Sequence, residues 1–217
     1  MKQVLIFQGG WAGHYPREIS ALFAEWLTDA GYAVTVSDTQ ECLADAQKLL
    51  TYDLIIPCWT MGTSSGAYEK NLCAAVRAGV GIAGCHGGMC DAFRNSTDYQ
   101  FMTGGQWVAH PGNDGITYTV RVTDREHEIT KGIADFTITS EQYYLHVDPA
   151  VDVLAVTDFT LPHGEGTKTV TMPVAWTKYW GKGKVFYYSV GHTPKTFTDI
   201  PESAELMKRG LRWAMRE

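Results

Sequence analysis

The sequence predicts an α/β protein with a mostly parallel sheet, helices on both faces, and antiparallel strands added in its C-terminal half. The first half contains short, continuous apolar runs, which are typical of parallel strands buried on both faces. Helical apolar stripes alternate with those runs at short intervals, which implies right-handed βαβ units. In the second half, strand patterns follow one another with no helical stripe between them, which favours antiparallel additions to the same sheet.

The N-terminal half contains four predicted strands and three predicted helices. The strands cover Val4–Phe7, Ala33–Val36, Leu54–Pro57 and Val80–Ala83. The helices run from Pro16 to Gly31, from Leu43 to Leu50, and from Ser64 or Ser65 to about Ala78. Pro16 suits a first helical turn, because proline fixes φ near the helical value. Gly31 suits a helix end, because glycine readily adopts the left-handed backbone conformation. A doubly wound, flavodoxin-like order is the arrangement we expect from this alternation.

The C-terminal half contains four more predicted strands and one covering helix. The strands are predicted at Ile116–Val122, Val151–Val156, Val170–Trp176 and Val185–Val190. The helix is predicted at Ser203–Met215. A turn at Gly181–Gly183 separates the last two strands. The chain has no Pro/Ser-rich linker, repeat or low-complexity segment, so we expect a single domain over residues 1–217.

Composition excludes several classes of partner. The chain has 217 residues, 45% of them hydrophobic and 19% charged, as is usual for a globular protein. The net charge of −6 comes without long charge runs, so we expect neither nucleic acid nor membrane binding. The first apolar run is too short for a signal peptide. Five irregularly spaced cysteines without a CxxC pair predict reduced thiols and a cytoplasmic location.

The sharpest local feature is a glycine-rich turn, GCHGGMCDAF at 84–93, between a buried strand and a helix. Enzymes of the nucleophile-elbow type hold their reactive side chain at such a turn, in the pattern G-x-nucleophile-x-G. Here the central residue is His86, and Cys85 comes one residue early, where its side chain should point toward the core. A Cys-His-carboxylate glutaminase triad is therefore not expected, since His192 also precedes Thr193-Pro194 rather than a nearby acid.

Three histidines follow predicted strands or turns and are candidates for a shared site: His86, His110 and His192. Ligands of parallel sheets bind outside the carboxyl ends of the strands, and that edge should also carry Gly9–His14 and Cys58–Ser65. The GGWAG run at 9–13 lacks the spacing of a phosphate loop. His127, His146 and His163 are predicted to be structural.

An ordered set of motifs resembles the trehalose-utilisation (ThuA-like) family over nearly the whole chain. The set comprises His14, GCHGG at 84–88, Asp91, Tyr99, Gly104-Gly105, His110-Pro111, HEITKG at 127–132, Glu141, Tyr143, PVAW at 173–176, GKGKVF at 181–186 and Gly191-His192. The resemblance implies a fold like that of the class I glutamine amidotransferases. It also implies carbohydrate catabolism, with a keto-disaccharide made by a partner sugar dehydrogenase as the substrate. Ser140 departs from the family's pattern, which often has an acid before the glutamate.

Two chemistries fit histidines gathered around Glu141. In the first, His86 and Glu141 transfer protons while His110 and His192 position or polarise the sugar. In the second, His86, His110 and His192 bind a divalent metal such as zinc, although no HxH or HExxH spacing supports it. The expected substrate-binding residues are His14, Gly10, Trp11, Trp59, Gly87, Trp107 and Tyr143. Hydrolysis, isomerisation and elimination all stay open as the reaction.

Two readings from other functional classes also fit the sequence. The chain could be a sugar-binding or sensing protein that kept the fold without catalysis, because a fold does not prove an activity. It could also be a scaffold subunit, in which case a partner chain would cover the edge formed by the strand ends. The oligomeric state is not readable from the sequence.

Overall fold

A computed structural model describes residues 1–160, 162 and 166–217, so the prediction for His163 lies outside the described residues. The strands are β1 (Gln3–Gly10), β2 (Ala33–Ser37), β3 (Leu54–Thr60), β4 (Gly81–Cys85), β5 (Gly105–Ala109), β6 (Ile116–Val122), β7 (Phe136–Ser140), β8 (Tyr144–Val147), β9 (Asp152–Phe159), β10 (Val170–Trp180) and β11 (Gly183–Tyr188). The helices are α1 (Pro16–Asp29), α2 (Ala46–Leu49), α3 (Gly66–Ala78), α4 (His86–Cys90), α5 (Thr97–Thr103), α6 (Lys195–Thr198) and α7 (Pro201–Ala214).

Nine of the strands form one mixed sheet in the order β2-β1-β3-β4-β11-β10-β9-β6-β7. The first five are parallel, and their order matches the flavodoxin-like arrangement once β11 takes the fifth place. The remaining strands add in antiparallel fashion, while β5 and β8 form a separate two-stranded ribbon. The predicted α/β class, with a parallel centre and an antiparallel C-terminal extension, is confirmed.

The sheet separates two hydrophobic cores, which explains why its central strands read as continuous apolar runs. Along β1, Val4 and Ile6 face the core that α1 and α7 cover. Leu5 and Phe7 face the opposite core, which α3 and α5 cover. Because consecutive strand residues point to opposite faces, a strand buried on both sides needs an apolar residue at every position.

The structure corrects one predicted element and adds five. The helix predicted over Leu43–Leu50 is interrupted, because a 3-10 turn at Gln40–Leu43 precedes α2. The carboxylate of Asp45 accepts hydrogen bonds from two backbone amides and thereby starts α2 anew. Elements that the patterns did not predict are α5, α6, β5, β7 and β8. Among the described residues, no helix combines the length and the apolar character that crossing a bilayer requires.

Candidate active site

The turn between β4 and α4 places His86 at the carboxyl edge of the parallel strands. His86 has a positive φ of 49°, a conformation that residues with a β-carbon rarely adopt and that often marks functional sites. Its ring Nδ1 lies 2.8 Å from the carbonyl oxygen of Ser189, which can only accept, so Nδ1 carries the proton of that hydrogen bond. Cys85, one residue earlier, is buried in the core on the α1 side, as predicted.

Three imidazoles and one carboxylate meet above this turn, and we call them the inner cluster: His14, His86, Glu141 and His192. The nitrogen or oxygen atoms that they direct at one another all lie within 4.8 Å. Glu141 Oε2 is 3.0 Å from His86 Nε2, 3.6 Å from His14 Nε2 and 3.4 Å from His192 Nδ1. All four side chains are buried, so a single carboxylate oxygen is the common neighbour of three buried imidazoles.

Glu141 lies in the short connection between β7, the edge strand of the antiparallel extension, and β8. The hydroxyl of Tyr118 donates to the backbone carbonyl of Glu141 at 3.0 Å. The next residue, Gln142, donates its side-chain amide to Thr157 Oγ1 at 2.9 Å. Tyr143 then stacks on the ring of His86, with 3.9 Å between the ring centroids. These contacts fix the carboxylate on both sides and hold it against the imidazoles.

His14 is held by a different part of the fold. It ends the 3-10 turn at Ala12–His14 that follows β1, and its Nδ1 lies 2.9 Å from Thr60 Oγ1 at the end of β3. Gly87 lets this ring approach the start of α4. A β-carbon there would lie 2.5 Å from His14 Nδ1 and 2.9 Å from the hydroxyl oxygen of Tyr143.

Burial and charge act in opposite directions within the inner cluster. Burial alone would raise the pKa of Glu141, but the contacts with His14, His192 and His86 outweigh it and hold that pKa well below its usual range. Burial lowers the pKa of His86 to about 4, and the neighbouring carboxylate only partly offsets this effect. At neutral pH the carboxyl group is therefore ionised, while the His86 ring is neutral.

A more exposed set of side chains borders the cluster, and we call it the rim: Trp11, Trp107 and His110. His110 Nδ1 is 3.8 Å from Glu141 Oε1, the oxygen that faces away from the other imidazoles, and its side chain is 32% exposed. Trp11 is 46% exposed and makes an edge contact with the ring of His14.

The other two tryptophans expected to bind the substrate, Trp59 and Trp107, have less free ring surface. Trp59 lies against Gly9 and Gly62, and the guanidinium of Arg94 lies 4.6 Å from the centroid of the Trp107 ring. Trp11 therefore offers the most accessible aromatic surface next to the cluster.

The structure brings together most of the residues that sequence analysis proposed for the site. His14, expected to bind the substrate, lies inside the group of potential metal ligands, and His110, expected among those ligands, lies outside it. Gly10 packs against the backbone of Thr60 and so positions Trp11. Sequence reasoning missed the groups that orient the imidazoles: the Thr60 hydroxyl and the Ser189 carbonyl. The position of Thr60 at a strand end was the only available signal, and a backbone carbonyl gives none.

Comparisons with known proteins agree with this fold. The family model described as ThuA, trehalose utilisation, matches residues 3–214. Among curated proteins, none matches the chain.

Three solved structures have the same architecture. A protein described as ThuA-like from Bacteroides uniformis ATCC 8492 has a TM-score of 0.78 at 18% identity, covering 98% of this chain and 91% of its own. One from Parabacteroides merdae ATCC 43184 has a TM-score of 0.75 at 16% identity, with coverages of 98% and 89%. A cytoplasmic protein from Salmonella typhimurium LT2 has a TM-score of 0.69 at 13% identity, with coverages of 99% and 100%. At these identities the likeness concerns the fold alone.

Proposed function

Because this chain belongs to the ThuA family, whose description is trehalose utilisation, we propose that it is an enzyme that acts on a sugar at the inner cluster. The substrate class that we favour is a keto-disaccharide, supplied by a sugar dehydrogenase that oxidises one ring hydroxyl. The observation that carries this proposal is the convergence of three buried imidazoles on one carboxylate oxygen. A cytoplasmic location fits the description of the Salmonella neighbour.

We assign the proton-transfer role to His110. Its ring is partly exposed and so can reach a substrate, whereas His86 is 1% exposed and has one nitrogen bound to a backbone carbonyl. An imidazole that can reach the substrate suits proton abstraction from a carbon next to a carbonyl group, because imidazole both accepts and donates protons. The proton moves from that carbon to the imidazole, and the electron pair moves onto the carbonyl oxygen. Glu141, 3.8 Å away, supports the positive charge that His110 gains.

A ring N–H of His192, which neither Ser189 nor Thr60 engages, then donates to the carbonyl oxygen that becomes negative. Preorganised groups in a site from which water is largely excluded stabilise such charge more strongly than water does. Isomerisation and elimination of a keto sugar share this first step, so the proposal covers both reactions. Trp11 supplies an aromatic face for the sugar ring, because pyranose C–H groups pack well on indole.

The test follows hydrogen exchange in deuterated water. Trehalose and its keto form, with one ring hydroxyl oxidised to a ketone, are incubated with the protein and followed by proton NMR. We expect deuterium to enter the keto sugar next to the carbonyl, and His110→Ala to slow this by about 10²–10⁴-fold. His146→Ala is the matched control, since His146 is exposed on β8 and lies outside the site.

Two results would overturn the enzymatic proposal. If keto-disaccharide raises the melting temperature but neither exchange nor product appears over hours, the chain is a sugar-binding protein. If no sugar changes either the melting temperature or the spectrum, the cluster does not serve carbohydrate at all.

A further inference from the structure

We propose that the inner cluster binds one divalent transition-metal ion through His14 Nε2, His86 Nε2, His192 Nδ1 and Glu141 Oε2. Four arguments carry this assignment: the spacing of the four atoms, the tautomer of His86, the unpartnered nitrogen of His192, and the chemistry of the donor set. The ion's part in sugar chemistry rests on the function proposed above, whereas its binding does not.

The spacing of the donor atoms fits an ion in the centre. Zinc bonds imidazole nitrogen and carboxylate oxygen at roughly 2.0–2.2 Å, which puts neighbouring ligand atoms about 3.3 Å apart in a tetrahedron. Glu141 Oε2 lies 3.0, 3.6 and 3.4 Å from the three nitrogens. All four atoms lie within 4.8 Å of one another, so small side-chain shifts bring them to a common centre.

The hydrogen bonds of His86 leave a lone pair facing the carboxylate. Its Nδ1 must donate to the Ser189 carbonyl at 2.8 Å, so in the neutral ring Nε2 has no proton to offer. Nε2 nevertheless lies 3.0 Å from Glu141 Oε2, which is also an acceptor. A cation between the two atoms removes this repulsion. Metal-bound histidines typically donate their other nitrogen to a carbonyl or a carboxylate, as His86 does here.

His192 provides a second, independent indication. Its Nδ1 is buried and forms no hydrogen bond with any residue that the structure describes, although it points at the cluster. Buried polar atoms without a partner are rare in proteins, because such an atom loses its hydrogen bonds to water and gains no others. A metal ion at the cluster centre gives this nitrogen a partner.

The chemistry of the donor set favours a transition-metal ion. Within the described chain, the groups that pair with Glu141 are all imidazoles. The nearby acid Asp91 is already paired with Arg94 through two hydrogen bonds and is not available as a ligand. Neutral imidazoles suit zinc, iron, nickel or copper more than magnesium or calcium.

The ion would give the proposed enzyme a Lewis acid next to His110. A metal ion polarises a carbonyl oxygen and stabilises the negative charge that develops on it. His14 and His192 are 8% and 9% exposed, so the cluster has its opening on their side, next to Trp11. A keto group placed there would face the ion while His110 removes the neighbouring proton.

The experiment measures metal without any sugar. The protein is stripped with a chelator, reloaded with Zn²⁺, freed of excess ion and analysed for metal content. We expect one ion per chain in the wild type and in His146→Ala, and loss of that ion in His192→Ala and Glu141→Gln. Circular dichroism establishes that each variant is folded. Co²⁺ reloading should give the visible absorption of a nitrogen- and oxygen-bound ion in the wild type, which tests the proposal even if a variant fails to fold.

Wild-type protein that retains no stoichiometric ion overturns the inference, as does an ion that the folded variants keep. Deuterium exchange into the keto sugar by fully stripped protein would remove the metal from the chemistry and leave the proposed function in place. Stoichiometric metal with no response to any sugar would support the metal site and contradict the proposed function.

Discussion

The inner cluster and the rim lie a few ångströms apart, yet they are built in opposite ways. Each cluster imidazole comes from the end of a strand or the turn after it, and backbone or hydroxyl groups orient His14 and His86. In the rim, His110 follows the small ribbon of β5 and β8, and Trp11 is nearly half exposed. The cluster is therefore a fixed set of nitrogen and oxygen atoms that can bind a metal ion, whereas the rim is the surface that a ligand contacts first.

The cluster and the rest of the site also come from different strands of the fold. His14 and His86 follow β1 and β4, and His192 follows β11, so the five parallel strands supply every imidazole of the cluster. Glu141 follows β7 of the antiparallel extension, and His110 follows β5 of the separate ribbon. The proposed function thus requires both the extension and the ribbon to meet the edge of the parallel strands. Changes in the cluster and at His110 should abolish chemistry, and changes at the rim tryptophans should weaken binding.

The largest effect is expected from Glu141→Gln. The change keeps the shape of the side chain but removes the charge that all three cluster imidazoles and His110 share. Turnover of the keto sugar should fall by about 10²–10⁴-fold, the usual contribution of acid–base groups. Steady-state kinetics checks this, with the exposed Glu126→Gln as the matched control. Turnover within a few-fold of the wild type would mean that the carboxylate is not part of the chemistry.

A somewhat smaller effect should follow from Gly87→Ala, which crowds the cluster without removing any of its groups. The added methyl would lie 2.5 Å from His14 Nδ1, so the ring must shift. Overpacking of this kind costs about 1–3 kcal/mol of stability. A displacement of about 1 Å at a reacting group can cost roughly 10²-fold in rate. Thermal denaturation and kinetics measure the two effects.

Gly66→Ala is the control for that experiment, since a β-carbon at Gly66, the first residue of α3, would meet nothing within 4 Å. Equal behaviour of the two variants would show that the close approach of His14 to α4 is not needed.

The same division explains what could be predicted from sequence. The parallel strands were recognisable because burial on both faces demands an unbroken apolar run, as in Val4–Phe7. Strands β5 and β8 were missed because a short ribbon outside the main sheet carries mixed residues, GQWVA and YLHV. The centre of the elbow, His86, followed from glycine spacing alone.

Other parts of the site depend on tertiary contacts that no local pattern encodes. Glu141 was proposed only through the family resemblance, because nothing in its own segment indicates that the β7–β8 connection crosses to the parallel edge. His14 was expected to bind the substrate, not to belong to the group of potential metal ligands. Its place depends on Tyr15, whose positive φ of 50° ends the 3-10 turn and sets where the chain turns back.

In the rim, Trp11→Ala should raise KM and leave kcat within about two-fold. The lost contact is an aromatic face, which contributes roughly 0.5–1.5 kcal/mol and so corresponds to about a two- to ten-fold change. Tyr179→Ala is a suitable control, because Tyr179 is 58% exposed and belongs to a different surface, near Trp213. A fall in kcat with unchanged KM would instead place Trp11 among the groups that act in the chemical step.

No effect at all is expected from thiol alkylation, although Cys85 adjoins the elbow histidine. Burial raises the pKa of the Cys85 thiol well above its ordinary value and that of Cys58 to about 12, so neither forms thiolate at neutral pH. Iodoacetamide should label Cys42, which is partly exposed, and leave turnover unchanged. In urea all five cysteines should react, which controls for the reagent. Inactivation in proportion to the labelling of Cys85 would show that its sulfur takes part in the chemistry and that the imidazole cluster only supports it.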